Sequence, residues 1–394
     1  MTLAGARVAL NAQESDYLDI NIREGRVSQL SRPASRVETC SNEGFNLNGF
    51  LVLPGLINAH DHLEFSLFPR LGRGTYPNAT AWSKDIYRPN EFPIRQHLDI
   101  PKQMRLLWGG IKNLVNGVTS VSHHNPYDAE VFDWGFPVRV VKHFGWAHSL
   151  DFCPDPSEKF LRTPSCEPFL IHAGEGTDEQ ARSEIKRLDD AGILAANTVI
   201  VHGVAVGPDD LIALNHWGVS LVWCPSSNLF TLGKTLSEQV LGSGVPIALG
   251  TDSALTAEGD LVSEIRTARR YVSMARIYEM LTGQAAAILR LHCGEGTVRE
   301  GAFGDLLVVR DQGQTPANAL LDLHPELVLI GGRVKLISLR LADQLKPRNA
   351  RDLHRIEVEG RGEWLIDCDV AALEAPAKWV LGENFRLARN RVAS

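Results

Sequence analysis

Short apolar runs that stop at a polar residue recur along this chain. Phe169-Leu170-Ile171 runs into His172, Val199-Ile200-Val201 into His202, and Pro246-Ile247-Ala248-Leu249-Gly250-Thr251 into Asp252. Each run is short and bounded by turn residues, which predicts buried strands. Phe50-Leu51-Val52-Leu53 is also apolar throughout and predicts a strand just before His60-Asp61-His62. Between the runs the apolar period becomes helical. Residues 101–116 carry Met104, Leu107, Trp108, Ile111, Leu114 and Val115 at helical spacing, and Gly117 ends them. Residues 117–122 and 138–141 then predict a second and a third strand. Thr177-Asp178-Glu179-Gln180 reads as a capping box opening a helix that stops at Gly192. Pro208 suits the first turn of a further helix, which Gly218 ends.

This alternation predicts an α/β chain with a (β/α)8-type barrel over residues 54–302. Residues 153–168 fit it poorly, because they hold four prolines in a span too short for a helix, a strand and two loops. An abbreviated or missing fourth unit is the expectation there, with a regular eight-stranded barrel as the alternative. The two ends read differently. Residues 1–53 and 303–345 are short strands and turns, among them Tyr17 to Ile22, Asp305 to Val309, and Leu327 to Ile330 before Gly331-Gly332. They predict one composite β-rich domain flanking the middle, and residues 346–394 form an extension packing on one unit or the other.

The chemistry sits where the apolar runs stop. Alternate side chains of an extended segment share a face, so His60 and His62 can converge on one point. A parallel βα barrel brings the C-terminal ends of its strands to one rim. His60, His62, His172, His202 and Asp252 would therefore meet there as a metal site. Within this group the imidazoles of His60, His62 and His172 and the Asp252 carboxylate suit one divalent ion; zinc is the expected metal, and ferrous iron also accepts the set. Either would lower the pKa of a bound water toward ~7 and supply hydroxide at neutral pH.

The ordered series PGLINAHDH (54–62), IHAGEGTDE (171–179), VHG (201–203), CPSSN (224–228), LGTDS (249–253) and GAFGDLLVV (301–309) resembles the amidohydrolase superfamily. The likeness runs from the first barrel strand into the C-terminal β-rich end, and points to the cytosine deaminase, guanine deaminase and triazine hydrolase branch. It implies that both termini build a small β-sandwich beside the barrel. It implies metal ligation by His60, His62, His172 and Asp252, and proton shuttling by Glu175 to a departing nitrogen. His202 has two implied readings: a hydrogen bond to substrate or attacking water, or a second-metal ligand beside a carbamylated lysine, for which Lys142 is the candidate. Catalytic roles fall to Glu175, His202 and Asp252. Deamination of an amino-substituted heterocycle is the leading expectation. Hydrolysis of a cyclic amide, an amidine or another ring leaving group is the alternative, and an inactive scaffold a remote one. Homodimerisation is carried by the resemblance alone.

Other residues are assigned from position. Trp82, Tyr76 and Arg70 lie in the loop after the first strand, where loops often close over a barrel mouth, so Trp82 and Arg70 are substrate-binding candidates. Ser227 and Asn228, after the seventh strand, are two more. Trp223 stands where relatives often carry histidine. His123 and His124 end the second strand and are candidates for the pocket; His143, His148 and His216 read as surface histidines.

Composition narrows the field. The net charge of −7 and the lack of a basic cluster argue against nucleic acid. No apolar segment is long enough for a membrane helix, and the first residues lack a signal-peptide pattern. The six cysteines, Cys40, Cys153, Cys166, Cys224, Cys293 and Cys368, show no Cys-x-x-Cys spacing and suit a reducing cytoplasm. Leu232-Gly233-Lys234-Thr235 is not a P-loop, since Asn228 occupies the place of its first glycine. A cytoplasmic enzyme acting on a small molecule is the expected product of these constraints.

Overall fold

The computed structural model describes residues 1–33, 44–133, 135–345, 351–383 and 385–394, so Cys40 lies outside the described residues. Eight parallel strands form the middle. Leu56–Asp61, Val118–His123 and Arg139–Val140 make a three-stranded sheet; Gly145–Ser149, Phe169–Ala173, Thr198–His202, Ser220–Trp223 and Ile247–Leu249 make a five-stranded one. The two meet at a parallel bridge between Asp61 and Asp252, where the Thr251 and Asp252 amides donate to the His60 carbonyl at 2.9 and 3.0 Å. Among the described residues no ladder joins Arg139–Val140 to Gly145–Ser149.

Both faces of these strands are buried, which is why the runs read as continuously apolar. Phe169, Ile171 and Ala173 join one apolar cluster and Leu170 another; Ile200 and the pair Val199 and Val201 divide in the same way. His172, two residues beyond Leu170, projects on Leu170's side of its strand.

Two sequence expectations need correction here. Phe50–Pro54 does not continue into the histidines. It pairs with Thr2–Ala9 and Leu306–Arg310, and the histidine strand starts afresh at Leu56. Gly55 makes the break possible: a Cβ there would lie 2.2 Å from the Thr119 hydroxyl. The fourth unit is also present, as strand Gly145–Ser149 and helix Pro156–Arg162. What is short is the connection before it, where residues 141–144 join two strands with no helix. Four prolines between 153 and 168 concealed a seven-residue helix because Pro156 sits in its first turn.

The termini combine as expected of a composite unit. Five strands from residues 2–54 and seven from residues 306–393 form one 12-stranded sheet. The tail joins it: Gly362–Ile366 pairs with Arg333–Ser338, and Trp364 is fully buried. No helix of the described residues is long and apolar enough to cross a membrane.

Candidate metal centre and active site

The strand ends deliver their polar residues to one place. Nitrogens of His60, His172 and His202 and a carboxylate oxygen of Asp252 all lie within 4.8 Å of one another. The His60 and His172 Nε2 atoms are 3.2 Å apart, and Asp252 Oδ1 lies 3.4 Å from His60 Nε2 and 3.6 Å from His62 Nε2. Apart from His62, at the rim, these groups are almost wholly buried. Burial, reinforced by the neighbouring imidazoles, holds the His62 and His172 pKa values well below the usual histidine range. Burial lowers His60 too, against the pull of Asp252. Burial pushes Asp252 upward, but the facing imidazoles, His60 foremost, outweigh it and keep the carboxylate ionised.

Hydrogen bonds orient the rings. His172 Nδ1 donates to the His148 carbonyl at 2.7 Å, which leaves its Nε2 lone pair facing His60. His202 Nδ1 donates to Asn228 Oδ1 at 2.8 Å, so its Nε2 points at Glu175, 3.5 Å away, and Asp252, 3.9 Å away. His60 Nδ1 is buried without any hydrogen-bond partner. Neutral imidazole nitrogens converging on an ionised carboxylate repel one another unless a cation or proton lies between them. Nitrogen and oxygen donors in this ratio fit one divalent metal ion such as zinc.

The backbone pays locally for this convergence. His202 and Asp252 both hold positive φ, 76° and 54°, a region non-glycine residues rarely occupy. Such strain persists where surrounding contacts fix it, and it clusters at functional sites.

Glu175 follows His172 on a loop held by Gly174, whose amide donates to Glu184 at 2.6 Å. Burial raises the Glu175 pKa to about 7; His202 opposes the rise, and Asp252 and Glu184 add to it. A carboxyl balanced near neutrality beside an imidazole can both accept and return a proton.

A cavity of about 440 Å³ opens over these groups. His62, His172, Glu175, His202 and Asp252 lie on its floor, and Phe65, Trp82, Ile86, Tyr87, Phe152 and Leu255 form an apolar wall. No lysine or arginine lines it among the described residues. Trp82 belongs to helix Ala79–Ile86, and its indole N–H donates to the Leu71 carbonyl at 2.8 Å. The helix is anchored by Asn78, which caps it and donates to Asp178 at 2.6 Å.

Other expected positions have different partners. Arg70 pairs with Glu258 at 2.6 Å, lies over the Phe230 ring and does not line the cavity. Tyr76 donates to Asp85. Ser227 donates to Asp252 Oδ2, so it and Asn228 hold Asp252 and His202 instead of facing the cavity. Lys142 is exposed, stands 5.9 Å from the Tyr127 ring and lines a separate cavity, which removes the carbamylated-lysine reading of His202. Trp223 is buried and donates to Thr235. The capping residue of helix Glu179–Asp190 is Asp178, one position beyond Thr177, and it accepts from the Ala181 amide.

His143, His148 and His216 are all exposed as expected, but His148 also has a place in the site. Its ring lines the cavity, and its carbonyl orients His172. His124 is fully buried, with its ring centroid 4.1 Å from that of His172. His123 Nε2 lies 3.6 Å from Glu64. Glu64 has no sequence signal, standing alone two residues past His62. In the fold it lines the cavity, accepts from Asn125 at 2.6 Å, and keeps Oε2 buried without a hydrogen bond.

Comparison with known proteins agrees with this geometry. Residues 167–335 match the family model described as the amidohydrolase family. A 5-methylthioadenosine/S-adenosylhomocysteine deaminase from Caldicellulosiruptor saccharolyticus is 23% identical over 369 residues, covering 79% of this chain and 84% of the relative. A zinc-bound adenosine deaminase from Xanthomonas campestris superposes with a TM-score of 0.75 at 18% identity, over 96% of this chain and 97% of that one. Atrazine chlorohydrolase TrzN from Arthrobacter aurescens, complexed with zinc, gives 0.66 at 14% identity, over 96% and 99%. Taken with the ordered motifs and the histidine–aspartate cluster at the strand ends, these matches identify the chain as a hydrolytic enzyme that resembles the amidohydrolase superfamily.

Proposed function

We propose that this enzyme hydrolytically removes an amino group from a ring carbon of a neutral heterocycle, with one divalent metal ion held by His60, His62, His172 and Asp252. The carrying observation is Glu175, a carboxyl with a pKa of about 7, set 3.5 Å from His202 at the edge of that donor set. When bound, the metal lowers the pKa of a coordinated water toward ~7 and makes hydroxide available at neutral pH. Asp252, ionised and braced by Ser227 and Thr256, accepts the water's proton. His202, fixed in one tautomer by Asn228, holds the attacked ring edge. Glu175 delivers a proton to the departing nitrogen, the C–N bond breaks, ammonia leaves, and the ring carbon keeps the oxygen.

The cavity's apolar wall suits a flat ring with an apolar substituent. The lack of a lining cation disfavours phosphorylated substrates. The curated relatives are deaminases of 5-methylthioadenosine and S-adenosylhomocysteine, and of these two the uncharged 5-methylthioadenosine fits this cavity's chemistry better. Ammonia release should be assayed across 5-methylthioadenosine, S-adenosylhomocysteine, adenosine, adenosine monophosphate and an amino-triazine. The nucleosides should turn over and the monophosphate should lag at least tenfold; release from the triazine alone would overturn the nucleoside reading. Glu175→Gln should abolish turnover and keep the metal. An active variant would remove the proton-shuttle role.

The same reading treats the eight parallel strands as one barrel wall over 54–302, joined at the Asp61–Asp252 bridge. The terminal strands then form a separate composite unit. Support comes from the convergence of His60, His172, His202 and Asp252, carried by four different strand ends.

A further inference from the structure

We infer that a buried ion pair between Lys112 and Asp61 is a positioning device for the metal site, setting the two histidines that flank Asp61. The inference rests on the metal reading above. Asp61 is wholly buried and Lys112 is 2% exposed. Lys112 Nζ donates to Asp61 Oδ1 at 2.9 Å. Asp61 Oδ2 accepts from Asn113 Nδ2 at 2.8 Å and from Asn58 Nδ2 at 3.1 Å. Asn58 continues the network across the sheet junction: it donates to Thr251 Oγ1 at 2.8 Å and accepts from the Thr251 amide at 3.1 Å. Thr251 immediately precedes Asp252. One connected set of buried polar groups thus ties helix Lys102–Leu114, the His60 and His62 segment, and the strand end that carries Asp252.

The chemistry of Asp61 makes this more than packing. Asp61 lies between the two histidines but projects from the opposite face of the strand, toward helix Lys102–Leu114. Here both its oxygens are occupied by the lysine and two amides, which pin it against the helix. Removing one partner of a buried pair leaves an uncompensated charge, whereas removing both does not. Helix and histidine segment also touch closely: a Cβ at Gly109 would stand 2.4 Å from the Leu63 carbonyl, one residue past His62. Outer partners of metal ligands typically contribute 10- to 100-fold in metal affinity.

The test is zinc affinity, measured by chelator competition on the full chain, with the melting temperature of the metal-free protein recorded in parallel. Asp61→Asn and Lys112→Met should each weaken zinc binding about 10- to 100-fold. The double variant should weaken it by less than the product of the two, because they disable one unit. If a single variant fails to fold, the double variant decides alone, since it buries no unpaired charge. A double variant within threefold of wild type, whatever its melting temperature, would overturn the positioning role. A wild-type chain that binds no zinc would overturn the metal reading and this inference with it.

Discussion

Asn228 shows how one residue can govern the site without touching substrate. Its side-chain oxygen receives the His202 Nδ1 proton at 2.8 Å and so decides which His202 nitrogen faces Glu175 and Asp252. Asn228→Leu keeps the volume and removes the acceptor. Turnover should fall about 10- to 100-fold while zinc content is unchanged, because the metal's own ligands are untouched. Steady-state kinetics with metal analysis separates the two readouts, and an unchanged kcat would mean that His202 needs no such tether. His172, His202 and Asp252 stood out in sequence because each ends an apolar run, and His60 and His62 because of their alternate spacing. Asn228 stood out only as a substrate contact, and Glu64 and His148 carried no such signal. Their roles depend on which groups face them across the fold, and His148 acts through a main-chain carbonyl that any residue would supply.

At the level of elements, helix Pro225–Leu232, which carries Ser227 and Asn228, depends on its neighbour helix Leu261–Ala268. Glu264, fully buried on that helix, accepts from both the amide and the hydroxyl of Ser226. Burial raises its pKa to about 8; the Ser226 hydrogen bonds oppose the rise, and Asp252 and Asp260 add to it. The sign follows from linkage. The folded chain holds this proton more tightly than the unfolded one, so the associated stability is full below about 4.5 and is lost as pH rises through about 8. Glu264→Gln should therefore flatten the decline in melting temperature between acidic and mildly alkaline buffer. An identical decline in variant and wild type would show that Glu264 does not titrate in that window. The helix over the mouth offers a second case. Asn78→Ala removes its N-cap and its tie to Asp178, which should cost about 1 kcal/mol in denaturant unfolding. It should also raise KM, because Trp82 and Ile86 stand on that helix. The loop position of Trp82 was readable from sequence, but the helix was not: residues 79–86 bury no residue fully, so they lack the apolar stripe that marks the helix at 102–114.

Across the whole molecule, the sequence separated a parallel βα middle from β-rich ends, since strands buried on both faces read as unbroken apolar runs. It misjudged the seams. The break at Gly55 is invisible because Phe50 to Leu53 and Leu56-Ile57 are equally apolar, and only the tertiary pairing distinguishes them. The helix-free link over 141–144 escaped because its two strands are short, with only two residues, Arg139–Val140, in the first. At this scale the account depends on remote strand ends sharing a single cation. Metal analysis of the purified chain by mass spectrometry, alongside His172→Ala and Asp252→Ala, tests that most directly. The account predicts one divalent ion per wild-type chain and its loss from both variants. A wild-type chain that deaminates its substrate without metal, or variants that keep the full complement, would contradict it.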